Sequence, residues 1–239
     1  MKYLKWILLT LVVLPCSVLA QDKVLPNSQE YLAEVKKELQ IEWPKNRTIN
    51  VVFHGHSVPA GFWHNHEVHT LESYPYLVLE KLKAKYPYAV INVIVTAIGG
   101  ENAQSGAARF EKEVLTHRPD VLLIDYALND RPLGLEKAQS AWESMIQQAL
   151  DKGVKVILLT PSPDQRVDLR LDDNLLEQHT NQIRMLAKKY QVGLADPYPT
   201  FKSFASAGNL EEYMSHVNHP NRKGHEIIAD TIVEWFAND

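Results

Sequence analysis

Cysteine is nearly missing from this chain: its 239 residues contain one, Cys16. If a leader ends near Ala20, the mature chain has no thiol at all. That excludes disulfides and cysteine nucleophiles. Basic clusters are also missing, and the formal charge is −4. Removal of Lys2 and Lys5 with a leader would make it −6. Nucleic acid is therefore excluded as a partner. The apolar run Ile7 to Leu14 is too short to span a bilayer comfortably. No repeat or low-complexity tract interrupts the chain. The Gly-x-Ser-x-Gly elbow of α/β-hydrolases is not met at Ser57, because Pro59 takes the last position. No His-Glu-x-x-His motif is present either.

What is present starts with residues 1–20. Lys2 and Lys5 precede the apolar run, and Val18-Leu19-Ala20 offers small residues for cleavage before Gln21. This predicts a secretory signal peptide, hence a periplasmic or secreted protein with no stable membrane insertion after cleavage. Pro15 argues against a lipid-bearing Cys16, since a small residue is usual there.

Residues 21–47 predict an N-terminal helical segment, capped by Asn27 or Ser28 and ended by Trp43-Pro44. From residue 48 to 239 one domain is expected. Strands are predicted at 48–53, 89–95, 121–126, 155–159 and 192–195. Helices are predicted at 77–86, 109–116, 135–152, 175–190 and 223–236. This alternation predicts an α/β fold: three layers, α/β/α, around a central five-stranded parallel sheet. Ligands in such folds bind beyond the C-terminal ends of the strands.

Four segments at those ends, or before the last helix, can carry chemistry. Gly55-His56-Ser57 follows the first strand, and a serine hydroxyl needs a base to become a nucleophile. Its plainer role is a helix cap. Gly99-Gly100 follows the second strand, where glycine lets a backbone N–H approach a ligand, or simply makes a turn. Asn129 follows the third, and its amide is an oxyanion donor or a turn former. His219 precedes the last helix, with an ordinary pKa suited to a general base.

Taken together, these segments resemble the SGNH/GDSL hydrolases. Gly-His-Ser-x-x-x-Gly looks like the family's Gly-Asp-Ser block. Ala-Leu-Asn-Asp resembles its Gly-x-Asn-Asp block, and His219-Pro220-Asn221 its last block. The resemblance covers residues 48 to 237. It implies a flavodoxin-like fold, a serine esterase needing no cofactor, and a role for each matched residue. Ser57 would be the nucleophile and His219 its base. Ser57 N–H, Gly100 N–H and Asn129 would form the oxyanion hole.

Two positions depart from the family. His56 stands where it has Asp. His216 stands where its triad Asp would be, three residues before His219, and cannot supply a negative charge. Either a backbone carbonyl, or Asp196, Glu211 or Glu212, would hold the imidazole, or a Ser–His dyad operates.

Trp63, His64 and His66, with His56 and His216, are candidate substrate contacts, since aromatic rings suit sugars. The same stretch holds five histidines, His54, His56, His64, His66 and His69, but without zinc-site spacing, so no metal is expected. The expected substrate is a small-molecule or polysaccharide ester with a short acyl group such as acetyl. The rival expectations are a lipid or aryl esterase, and a non-catalytic carbohydrate binder that lost the triad acid.

Overall fold

The computed structural model describes residues 24–237. The expected signal peptide and Cys16 lie outside the described residues. Strands β1 (Thr48–Gly55), β2 (Val90–Val95), β3 (Val121–Asp125), β4 (Lys155–Leu159) and β5 (Gly193–Ala195) form one sheet in the order β2-β1-β3-β4-β5. All four pairings are parallel. This is the doubly wound order whose switch in direction opens a crevice at the carboxyl ends of the first strands.

The strands show why both faces are covered. Along β1, Val51 and Phe53 join one apolar cluster while Val52 joins the other. β3 repeats the pattern, with Val121 and Leu123 against Leu122 and Ile124. Successive side chains point to opposite faces, so a strand apolar at every position must be buried twice.

The helices are α1 (Ser28–Tyr31), α2 (Ala33–Leu39), α3 (Ser57–Ala60), α4 (Tyr74–Lys85) and α5 (Ala103–Ala108). They continue as α6 (Phe110–Glu113), α7 (Leu135–Asp151), α8 (Leu175–Tyr190), α9 (Tyr198–Ala207) and α10 (Arg222–Val233). Leu77 and Leu82 of α4 and Ile228 and Ile232 of α10 cover one face. Trp142 and Met145 of α7 and Ile183 of α8 cover the other. Among the described residues no helix is long and apolar enough to cross a membrane.

Several predicted boundaries are corrected. The helix expected at 109–116 starts earlier, as α5, because Asn102 caps it by accepting from Ser105 N–H. Gly106, a weak helix former, hides that start in the sequence. The helix expected at 77–86 begins at Tyr74, with Pro75 in its first turn, where a missing N–H costs nothing. Helix α9 was not expected at all. Nor was the hairpin of β6 (Met214–His216) and β7 (His219–Pro220), in which His216 faces His219 across an antiparallel pair. The N-terminal segment is two short helices, and its Leu32, Val35 and Leu39 are part of the main core.

Candidate active site

β1 ends at Gly55, and α3 begins two residues later with Ser57. Ser57 therefore sits at the first position of a helix, where its own N–H has no intrahelical acceptor. His56 caps this turn: its Nδ1 accepts from Val58 N–H at 3.2 Å. The Ser57 hydroxyl is nearly buried and meets one side chain, His219, with Oγ 2.9 Å from Nε2.

His219 reaches this place on the β6–β7 hairpin. Asn221 fixes the hairpin to α10, accepting from Gly224 N–H with Oδ1 and donating to Glu212 O with Nδ2 at 2.8 Å. Capping of this kind is worth about 1 kcal/mol. The rings of Phe62 and His216 lie nearly parallel to the imidazole, each with centroids 6.3 Å away.

Its Nδ1 is buried and makes no hydrogen bond. Asp196 is occupied elsewhere, by Thr160 Oγ1 at 2.7 Å and by Arg184 Nε at 2.8 Å. Glu211 and Glu212 have exposed side chains. None of the three acids considered for this role holds the ring. Burial lowers the His219 pKa to about 4, helped by the electrostatic influence of the neighbouring imidazoles of His56 and His216 and of the Arg166 guanidinium.

Two of the expected donors, Gly100 and Asn129, line one cleft beyond the ends of β2 and β3. The Gly100 backbone is left-handed, with φ +82°, and the space a Cβ would enter is open. Its neighbours Ile98 and Glu101 spend their N–H groups on Gly55 O and Ile98 O, while the Gly100 N–H is unbonded. At Gly99 a Cβ would sit 2.9 Å from the Phe62 ring. A glycine there lets the ring beside His219 pack on the loop. Asn129 donates one amide proton to Glu101 O at 2.9 Å, leaving the other unused. The side chain of Glu101 is clamped by Arg109, whose Nη2 also donates to Thr96 O at 2.6 Å.

His56, expected as a substrate contact, lies inside the domain instead. It is fully buried, and its Nε2 faces Asp125 Oδ1 at 3.4 Å. The other Asp125 oxygen accepts from the Tyr74 hydroxyl at 3.0 Å. Burial and the Asp125 charge push the Tyr74 hydroxyl pKa well up, so it stays a donor. Asp125 and Tyr74 were not picked out from sequence, although an aspartate ending an otherwise apolar strand was a usable signal.

The five histidines are dispersed. His54 is buried, with its Nδ1 2.9 Å from Thr96 Oγ1 and its Nε2 3.1 Å from the Tyr126 hydroxyl. His64 and His66 are exposed, and His69 pairs with Glu67 and Glu72. Trp63 is half-buried, with one face stacked on His69 at 4.4 Å. His216 is exposed. Among the described residues no three His, Cys, Asp or Glu side chains are grouped to hold a metal ion.

Residues 53–227 match the family of GDSL-like lipases/acylhydrolases. Comparison with curated proteins gives no match. Among solved structures, a two-domain esterase active on acetylated mannans is 23% identical, with a TM-score of 0.70. That match covers 86% of this chain, which spans about half (52%) of the two-domain protein. An acetylxylan esterase from Geobacillus stearothermophilus is 19% identical, with a TM-score of 0.68, over 80% of this chain and 95% of the other. Another acetyl xylan esterase is 25% identical, with a TM-score of 0.65, over 77% and 98%.

Proposed function

The chain belongs to the GDSL-like lipase/acylhydrolase family of carboxylic ester hydrolases, and on that premise we propose that it is an exported esterase removing short acyl groups, acetyl above all, from carbohydrate. The observation that carries the mechanism is the 2.9 Å contact between Ser57 Oγ and His219 Nε2 at the C-terminal end of the sheet.

In this reading His219 Nε2 takes the Ser57 proton as Oγ attacks the ester carbonyl. The negative charge gathers on the carbonyl oxygen, facing Ser57 N–H, Gly100 N–H and the free Asn129 amide proton. Fixed donors aimed at developing charge are the main source of rate in such chemistry. His219 then protonates the departing sugar hydroxyl, and activates the water that releases the acid. The pair works as a dyad, since Nδ1 has no carboxylate.

Support for carbohydrate comes from the acetylxylan and acetylmannan esterases among the structural neighbours, and from Trp63 and the imidazoles exposed beside Phe62. Support for export comes from the leader-like residues 1–20. A panel of p-nitrophenyl acetate, longer acyl chains, and acetylated xylan, mannan and pectin tests the assignment. Preference for long acyl chains would move it to a lipid esterase. The bare Nδ1 favours one rival, a binding protein without catalysis. Failure of a fluorophosphonate probe to label Ser57 in folded protein would select that rival.

The dyad has a pH signature. His219 must be neutral to accept a proton, and its pKa lies near 4. The profile of kcat/KM is therefore flat above about pH 5 and falls as pH drops through about 4. His216→Asp places a carboxylate opposite His219 across the hairpin. It raises the imidazole pKa, so the acid limb moves up by about one pH unit. A wild-type limb near 6.5 would overturn the bare-imidazole dyad.

A further inference from the structure

Gly100 and Asn129 line a cleft of about 600 Å3 together with Leu128, Arg131, Arg166 and Leu175. No acidic side chain lines it. Both arginines converge on Asp164, which is fully buried at the end of the segment after β4. Arg166 grips it with Nε at 2.9 Å and Nη2 at 2.7 Å. Arg131 binds the same carboxylate through Nη2 and donates Nε to Leu128 O at 3.0 Å. Burial opposes the charge on Asp164, but the two guanidinium groups outweigh it and hold its pKa at about 2.

Two cations thus share one anion. The cluster keeps one net positive charge, and among the described residues Nη1 of each arginine makes no hydrogen bond. The Arg166 side chain is 64% exposed. Its place relative to the nucleophile is fixed. Gln165 N–H donates to Val217 O, in the turn of the hairpin that bears His219, at 2.8 Å. Arg166 also lines a second cleft of about 390 Å3, and so forms the ridge between the two. In that second cleft Asp168 is neutralised by Arg170, while Glu211 has no ion-pair partner among the described residues.

We infer that Arg131 and Arg166 select an ester-bearing sugar that carries a carboxylate, seated beside the oxyanion donors. This rests on the esterase reading and sharpens its substrate class. A planar guanidinium suits a carboxylate, and one surplus charge matches a monoanion. Asp164 acts as the clamp that orients both arginines, so they need not be ordered on binding. Two sources of such a sugar are acetylated uronic-acid chains and O-acetylated sialic acid.

The test compares kcat/KM for acetylated oligogalacturonate and for O-acetyl sialic acid, each against a neutral acetylated xylo-oligosaccharide. One acidic substrate exceeds the neutral one, and its advantage shrinks with added salt. Arg166→Gln leaves Arg131 and Asp164 balanced, and cuts the acidic-to-neutral ratio about tenfold, mostly through KM. Arg166→Lys keeps part of it. An unchanged ratio in Arg166→Gln, or equal rates on acidic and neutral esters in the parent, overturns the inference.

Binding of the same sugars to Ser57→Ala, by calorimetry, separates the two claims. Preference for the acidic sugar with no Ser57-dependent hydrolysis of any ester sinks the esterase reading alone. Ester hydrolysis with no acidic preference in binding sinks the inference alone.

Discussion

Replacing Ser57 with alanine lowers turnover of p-nitrophenyl acetate by about four to six powers of ten, and His219→Ala does nearly the same. The two effects are not additive. Ser57 Oγ has one side-chain partner, the His219 ring, so either change removes the same proton transfer. The double variant is accordingly no worse than either single one. His216→Ala is the informative control. Its ring is exposed and makes no hydrogen bond to His219. An imidazole is not a carboxylate and offers no negative charge to an imidazolium, so its loss costs less than about tenfold, against about 10,000-fold for a triad carboxylate. Steady-state kinetics on folded variants, checked by circular dichroism, read all four. Equal collapse of His216→Ala and Ser57→Ala would overturn the dyad.

Asn129→Ala carries the next largest effect, about a 100- to 1,000-fold loss in kcat with KM nearly unchanged. The split follows from the geometry. One amide proton is committed to Glu101 O, which fixes the side chain. The second is needed only when the carbonyl oxygen becomes an anion, so it stabilises the transition state more than bound ester. Asn129→Asp is worse than alanine, because it replaces a donor with a negative charge facing the oxyanion. Loss of the Glu101 contact also loosens the Gly100 loop, and a melting curve beside the kinetics isolates that part. A variant with full kcat would return Asn129 to the role of a turn residue.

The sequence made the sheet readable because its strands carry short apolar runs whose successive side chains serve both faces, as a doubly covered parallel sheet requires. The residues at the strand ends were readable for another reason. Singly, Ser57, Gly100 and Asn129 read as caps and turns beyond the strand ends, and they became legible together because their order resembles that of the SGNH/GDSL hydrolases. What stayed hidden depends on distant packing. His56 looked available to substrate because nothing local reveals that Asp125 and Tyr74 enclose it. Nothing local to Arg131 and Arg166 reveals that both converge on the buried Asp164. Nothing local to His225 shows that it is buried and accepts Tyr74 N–H at 3.2 Å. Helix α9 was hidden by Pro199, which ends helices in general but is tolerated in a first turn.

The bare Nδ1 of His219 has a kinetic consequence. In the free enzyme the Ser57 hydroxyl aims the ring. Once Ser57 is acylated, that hydroxyl no longer exists. A carboxylate on Nδ1 would keep the imidazole pointed at the incoming water. Here only the flat surfaces of Phe62 and His216 remain beside it. On the proposed mechanism the second half-reaction has the least guidance, so the expected result in rapid-mixing kinetics is a burst, with the first turnover outrunning those that follow.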